Sequence, residues 1–389
     1  MGLVTLETVR TVVPLLPLIL RQSLLHVLRL SDSSKYLDLR SALIIACLRV
    51  LLIPKTPRSI SDVQRLTLRD SGVKGHIWIS RYASPPPPET SIRDALIAAL
   101  EHVGGPTCRV PVPDLVNVEA EWTGYRSGVT RGAPLPDVSE RERYHGMMRD
   151  AGGNLALSLL QLILELRRQD SPILWHGELR QVPMPAGVAL NSPWLDITQS
   201  SPTWEASTPT PFDYLPKPEA MEKRTTPPCE AWPANPPRRN MYIADDLAAH
   251  PLASLVMARS WKGAPPIYLC TGWEILAYED KFFARKLEAD GVRVVFEEYE
   301  GMPHCFAMIL SNAPATTRCF NGWAAFIRAA VEDPDSIEST AVMIKGKTCE
   351  EVPLQFDELS DASEEDMQRR VLRKTGLGDL LCEGPTSKL

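Results

Sequence analysis

The stretch "PPIYLCTGWEILAYEDKFFARKLEADGVRVVFEEYEGMPHCF", Pro265–Phe306, carries the pattern that decides the fold. It begins with a buried strand predicted at Pro265–Gly272, continues through a helix at Glu279–Ala289, and returns as a strand at Val292–Gly301. A strand, a helix and a second strand in this order form the repeating unit of a parallel sheet. Both strands therefore deliver the loops that follow them to the same edge of that sheet.

The same alternation of strands and helices continues on the N-terminal side of this unit and after it. The other predicted elements are a strand at Gly75–Tyr82, a helix at Ser91–Val103, a helix at Ala151–Arg168, a strand at Ala186–Asn191 and a helix near Thr316–Val331. Between them lies an irregular excursion rich in Pro, Thr and Trp, residues 198–239. The pattern predicts the α/β class, with a mostly parallel sheet flanked by helices.

Composition excludes several classes of function. The chain has 389 residues, 44% of them hydrophobic, and a net charge of −6, so no basic surface for nucleic acid is predicted. Its eight cysteines are scattered and form no CxxC pair, which favours buried free thiols over a disulfide scaffold or a zinc site. We expect no metal, flavin or nucleotide cofactor.

The N-terminal region contains two apolar stretches, Thr11–Leu20 and Ser41–Ile53. Each is shorter than the roughly 18–20 residues that span a bilayer, so amphipathic helices are predicted. They would pack on the domain, cap an apolar pocket or lie on a membrane surface. We therefore expect an N-terminal helical cap over residues 1–70, a core over 71–331 that is interrupted near 138–151, and an acidic C-terminal extension over 332–389.

The chain ends in Ser387, Lys388 and Leu389. A terminal Ser-Lys-Leu is a peroxisomal address that an import receptor reads. The sequence thus predicts that the receptor is a partner and that the protein is peroxisomal, with the cytoplasm as the location otherwise.

Three short motifs match one family in order. "AGGNL" at Ala151–Leu155 resembles the end of the family's G-D-S-A-G-G-N-L motif, "GWEIL" at Gly272–Leu276 stands where its catalytic acid lies, and "GMPHCF" at Gly301–Phe306 resembles its histidine loop. The chain resembles the hormone-sensitive-lipase-like esterases and lipases of the α/β-hydrolase fold, in particular fungal members with a long N-terminal region. The resemblance extends from about residue 11 to about residue 331.

This resemblance implies a site chemistry. In the family a serine attacks an ester or related acyl group, a histidine takes the proton of that serine, and an acid orients the histidine. Carried over by position, His304 is the general base and Glu274 is the orienting acid. Without the resemblance, His304 would be interpreted as a loop histidine and Glu274 as a helix N-terminal acid that suits the helix dipole. The implied substrate is an ester or other acyl bond of an apolar small molecule.

The nucleophile is where the sequence departs from the family. Asp150 occupies the slot for the serine, or is the aspartate of the motif with the serine absent. The preceding residues, "RERYHGMMRD", are charged and unlike a buried strand, and no H-G-G run exists to supply oxyanion donors. The middle of the sheet is therefore predicted to be incomplete between about Val138 and Ala151, by roughly two or three strand–helix units.

Several interpretations remain open at this point. The chain is an esterase-like hydrolase of doubtful activity, an inactive hydrolase fold that binds a small molecule or a partner protein, or a truncated product. A further possibility is an enzyme that uses Asp150 as a covalent nucleophile, as epoxide hydrolases of this fold use an aspartate. Because the serine and the oxyanion loop are both missing, the sequence predicts no hydrolysis of simple acyl esters above background.

Overall fold

A computed structural model describes residues 13–376 of the chain except 54–55, 68–76, 85, 87–89, 107, 111, 113, 115, 126–152, 171, 176, 206, 209, 223–225 and 236. The helices are α1 (Leu16–Val27), α2 (Ser33–Tyr36), α3 (Leu39–Leu52), α4 (Ile60–Thr67), α5 (Ser91–Gly104), α6 (Gly153–Arg168), α7 (Pro218–Glu222), α8 (Ala277–Ala289), α9 (Phe306–Ile309), α10 (Pro314–Glu332) and α11 (Glu364–Thr375). The strands are β1 (Ile77–Ser84), β2 (Val118–Tyr125), β3 (Ile173–Trp175), β4 (Glu178–Arg180), β5 (Val188–Asn191), β6 (Ile267–Gly272), β7 (Val294–Tyr299), β8 (Thr340–Ile344) and β9 (Glu351–Pro353).

The elements fall into two compact units. The first, here called the sheet unit, takes its residues from 1–57, 184–227 and 235–389. The second, here called the hairpin unit, takes its residues from 58–183 and 228–234. The division into a cap, a core and an extension that the sequence suggests stays a prediction.

The sheet unit is built on a five-stranded sheet in the order β5-β6-β7-β8-β9. The first four strands are parallel, and β9 pairs antiparallel with β8. Helix α8 connects β6 to β7, and α10 follows β7, as the alternation of strands and helices in the sequence predicts. The predicted α/β class, the mostly parallel sheet and the N-terminal helices are confirmed. The segment predicted to be missing falls within 138–151 and lies outside the described residues.

Two adjacent glutamates in β7 show that helices flank both faces of the sheet. Glu297 pairs with Arg318 of α10 at 3.0 Å, and Glu298 pairs with Lys281 of α8 at 2.6 Å. Successive side chains of a strand point to opposite faces, so α8 and α10 cover opposite sides. Both carboxylates are buried, which explains why each faces a cation from the helix above it.

The core on the α10 side joins the sheet to the N-terminal helices. Its fully buried members include Tyr268 and Tyr299 from the strands, Phe306 after β7, and Cys319 on α10. Leu37, between α2 and α3, is buried in the same cluster. The N-terminal helices therefore pack on the sheet unit. No helix among the described residues is long and apolar enough to cross a membrane.

The hairpin unit has a different organisation. Strands β1 and β2 pair antiparallel over their whole length, from Ile77 opposite Tyr125 to Ser84 opposite Val118. Helix α6 packs against α5, where the Glu165 carboxylate lies 2.6 Å from Nδ1 of His102. Half of the residues of α6 are buried, and they include its polar residues Asn154, Ser158, Gln161 and Glu165.

Gly272 ends β6 at a point of very close approach. A Cβ atom at this position would lie 2.1 Å from the carbonyl oxygen of Met302, in the loop after β7. Such a distance is shorter than any normal contact, so only glycine lets the two loops meet.

We expect the substitution Gly272→Ala to lower the free energy of unfolding by about 1–3 kcal/mol, because the added methyl group pushes the loop after β7 away. The measurement is urea-induced unfolding, followed together with the NMR signals of the His304 ring. Gly291→Ala is the control, since a Cβ there meets nothing within 4 Å and strains only a residue with φ of 78°. Equal shifts of the His304 signals in both variants would contradict this role of Gly272.

Candidate active site

Glu274 follows β6 and its side chain is completely buried. One carboxylate oxygen, Oε1, accepts hydrogen bonds from the backbone N–H of Gly272 at 3.0 Å, from Thr271 Oγ1 at 3.0 Å and from Ser192 Oγ at 2.5 Å. The other oxygen, Oε2, lies 2.7 Å from Nδ1 of His304. Every part of the carboxylate is thus engaged, which fixes its orientation and offsets the cost of its burial.

The pair of Glu274 and His304 shifts the pKa of both groups. Burial raises the pKa of Glu274, but the hydrogen bond and charge of His304 and the bonds from Ser192 and Gly272 outweigh it, so the net pKa is lowered. Burial lowers the pKa of His304, whereas its hydrogen bonds with Cys305 and Glu274 raise it, to about 11. The geometry therefore stabilises a carboxylate beside an imidazolium.

His304 lies in the loop between β7 and α9. Because Nδ1 faces Glu274, the second ring nitrogen, Nε2, is directed elsewhere and lies 3.4 Å from Sγ of Cys305. The side chain of His304 is 20% exposed, so solvent or a small molecule can reach it. The ring of Tyr214 stands edge-on to the imidazole, with the ring centroids 6.1 Å apart.

Asp213 holds three loops together at this site. Its Oδ1 accepts from the backbone N–H of Tyr214 at 2.7 Å and of His304 at 3.4 Å, and its Oδ2 accepts from the N–H of Ile275 at 2.7 Å. Burial and the nearby charge of Glu274 raise the pKa of Asp213. The irregular excursion of the sequence, 198–239, thereby positions both the acid loop and the histidine loop.

Ser192 is a site residue that sequence reasoning missed. It directly follows β5, donates to Glu274 and accepts from the backbone N–H of Cys305 at 3.2 Å. Its place could have been predicted, because β5 is parallel to β6 and the residues that follow both strands reach the same edge of the sheet. Asp213 and Cys305 were also missed, and the position of Asp213 far from the motifs offered no comparable signal.

The structure brings together two of the three predicted site residues. Glu274 and His304 lie within hydrogen-bonding distance, whereas Asp150 lies outside the described residues, as do Ser387, Lys388 and Leu389. The catalytic roles of these residues stay predictions. Among the described residues, no group of three or more His, Cys, Asp or Glu side chains is arranged to hold a metal ion.

This chain is similar to several known proteins. Residues 149–308 match the sequence model of the alpha/beta hydrolase fold family called Abhydrolase_3. No curated protein matches the chain. Similar solved structures include a hormone-sensitive lipase from a metagenome library, with 24% identity and a TM-score of 0.34 over 46% of this chain and 52% of that one. The chain therefore spans about half the length of that relative.

Two further solved structures are also similar to this chain. An esterase/lipase from an uncultured bacterium is 18% identical, with a TM-score of 0.41, over 74% of this chain and 98% of that one. An esterase of Pyrobaculum calidifontis is 20% identical, with a TM-score of 0.34, over 46% of this chain and 50% of that one. The family match spans Glu274 and His304 together with β5, β6 and β7, and the chain has an α/β-hydrolase fold.

Proposed function

We propose that this protein acts on an ester or other acyl bond of an apolar small molecule, with His304 transferring the proton and Glu274 orienting it. The observation that carries this proposal is the 2.7 Å contact between Nδ1 of His304 and the buried carboxylate of Glu274. This contact leaves Nε2, the nitrogen that serves a nucleophile in such sites, free of Glu274 on a side chain that is 20% exposed. A fungal origin of this branch and a role in acyl or secondary metabolism belong to the same proposal.

An apolar groove in the N-terminal helices supports the choice of substrate class. It has a volume of about 580 Å³ and lies in the same unit as the site. The groove is lined by one side chain of α1 and six of α3, namely Ile19, Leu39, Arg40, Leu43, Ile44, Cys47 and Leu48. Ile44 also packs against the core cluster that contains Met302 and Phe306 of the histidine loop. An acyl chain or other apolar group suits such a lining.

The sequence alone predicts no hydrolysis above background, whereas the contact between His304 and Glu274 supports a low activity, so sustained turnover is expected to be slow. The sequence has no serine in the nucleophile slot and no H-G-G run to stabilise an oxyanion. Loss of a single oxyanion donor costs about 10²–10³ in rate, so the loss of the whole loop is severe. A retained base and acid therefore predict cleavage that is detectable in a first turnover more readily than in steady state.

The test is cleavage of p-nitrophenyl butyrate by the full chain, with the first equivalent and the steady state recorded separately. We expect His304→Ala to slow cleavage by about 10²–10⁴-fold, because proton transfer contributes that much. Glu274→Gln should slow it by at least about 10²-fold through loss of the orienting charge. The controls are His102→Ala and Glu288→Gln, whose side chains are exposed in other parts of the chain.

The competing interpretations give other outcomes in this assay. An inactive fold that serves as a binding protein would bind a non-hydrolysable butyryl analogue without cleaving the ester. A truncated product would show no cooperative unfolding. Cleavage that is unaffected by His304→Ala but abolished by Asp150→Asn would favour the aspartate route, and each of these results would overturn the proposal.

The His304–Glu274 pair also predicts a pH dependence. His304 should stay protonated well above its usual pKa of 6.5, with a midpoint near 11, and Glu274→Gln should lower that midpoint because it removes the neighbouring charge. A raised pKa stabilises the folded state fully below pH 6.5, and this stabilisation is lost as the pH rises through about 11. Titration of the His304 ring signals by NMR measures both midpoints, and equal midpoints in the two proteins would contradict the pairing.

For location and partner we propose import into peroxisomes through Ser387, Lys388 and Leu389. The support is the identity and the terminal position of these three residues, since the import receptor reads a free C-terminal Ser-Lys-Leu. No nucleic-acid partner is proposed.

A fluorescent protein fused to the N-terminus should therefore appear in peroxisomes, because this fusion leaves the C-terminus free. Deletion of the last three residues should disperse the signal through the cytosol. Fluorescence microscopy with a peroxisomal marker measures the overlap. A diffuse signal from both fusions would refute the proposal.

A further inference from the structure

Cys305 lies beside the base of the proposed site. Its Sγ lies 3.4 Å from Nε2 of His304, while Nδ1 of the same ring faces Glu274. In enzymes that activate a side-chain nucleophile in this way, the nucleophile lies within hydrogen-bonding distance of the base. The base in turn lies within hydrogen-bonding distance of the acid that orients it. Here the three positions are filled by a thiol, an imidazole and a carboxylate.

The backbone of Cys305 is held in an uncommon conformation. Its φ of 48° and ψ of 35° lie in the left-handed region, which is unfavourable for a non-glycine residue. A chain of hydrogen bonds holds this conformation, because the Cys305 N–H donates to Ser192 Oγ and the Ser192 hydroxyl donates to Glu274. Strained residues of this kind collect at functional sites, and a sharp turn also presents the nucleophile in hydrolases.

Among the described residues, the other candidate nucleophiles near His304 are hydrogen-bonded elsewhere or buried. Ser192 is buried, and its hydroxyl proton points to Glu274 at 2.5 Å instead of to the imidazole. Cys270 and Cys319 are completely buried in the core and contact each other at 3.7 Å. Cys305 is only half-buried, beside an imidazole that is 20% exposed.

We propose that Cys305 is an acyl-accepting nucleophile, which deepens the ester chemistry proposed above and rests on it. In the reactive form the proton of Cys305 lies on Nε2 of His304, as a thiolate–imidazolium pair, and the thiolate attacks the ester carbonyl. A sulfur–carbon bond forms, the carbon–oxygen bond of the ester breaks, and the departing oxygen takes the proton back from His304. Water then attacks the thioester, releases the acid and restores the thiol, and this second half is slow because no oxyanion loop assists it.

The charges around the ring suit this step. The thiolate is the reactive form of cysteine, and a neighbouring positive charge stabilises it. The Glu274 carboxylate stabilises the imidazolium, and the pKa of His304 is raised to about 11 by its bonds with Cys305 and Glu274 against the lowering effect of burial. An imidazolium that is held by a buried carboxylate suits a thiolate, which is negatively charged, better than it suits a neutral serine hydroxyl.

The experiment treats the full chain with p-nitrophenyl butyrate, stops the reaction with acid, and locates the butyryl group by intact-mass and peptide analysis. We expect about one acyl group per chain on Cys305, removable by hydroxylamine as a thioester, and a matching burst of p-nitrophenolate. His304→Ala should reduce the rate of labelling by about 10²–10⁴-fold. Prior treatment with iodoacetamide should carbamidomethylate Cys305 and abolish the burst.

Cys305→Ala should lose both the burst and the label, and Cys305→Ser keeps the polar shape in case the alanine variant fails to fold. Cys349→Ala is the matched control, since Cys349 is also half-buried and left-handed, with φ of 56°, and it should keep both signals. A burst that depends on His304 but survives in Cys305→Ser and Cys305→Ala, or a label on another residue, would overturn the role of Cys305 and leave the proposed function standing. The absence of any ester cleavage in the unaltered chain would overturn both.

Discussion

The buried carboxylate of Glu274 is the constraint on which the rest of the site depends. A carboxylate without water must find its hydrogen bonds within the protein, and here four groups supply them. They come from β6, from the residue after β5 and from the loop after β7. Satisfying one charge thereby fixes the relative positions of three segments that are distant in the sequence.

Three other buried acids affect where the negative charge of this region lies. Burial raises the pKa of Asp213 and of Asp280, and in both the negative charge of Glu274 raises it further. Glu279, also buried, has its pKa raised well above the usual value by burial and by Asp196. Because Glu274 alone among these carboxyls faces an imidazolium, the negative charge of the cluster is favoured on the residue that orients His304.

The N-terminal helices contribute to the same site from the far end of the chain. Arg49 donates to the backbone carbonyls of Asp213 and Pro211. These hydrogen bonds hold the loop that carries the buried Asp213. Tyr36, Phe212 and Trp273 form a group of aromatic rings with centroids 5.0 to 5.5 Å apart. The rings join the N-terminal region and the excursion of residues 198–239 to the residue preceding Glu274. The helices thus act as part of the support of the site, which is a reason to expect that their truncation alters His304 as well as stability.

The sequence by itself determined the strand–helix–strand unit of β6, α8 and β7, the α/β class, and the two loops that carry Glu274 and His304. Periodicity and short motifs are local properties, so they can be read without knowing what packs on what. Only the tertiary structure decided that Asp213, Ser192 and Cys305 join these two residues. Ser192 is 82 residues from Glu274 and Asp213 is 91 residues from His304, whereas Cys305 is the neighbour of His304 but needs a particular backbone conformation to face its ring. A left-handed backbone at Cys305 and the choice of which imidazole nitrogen faces the thiol arise from packing around a buried charge, and no local pattern in the sequence encodes them.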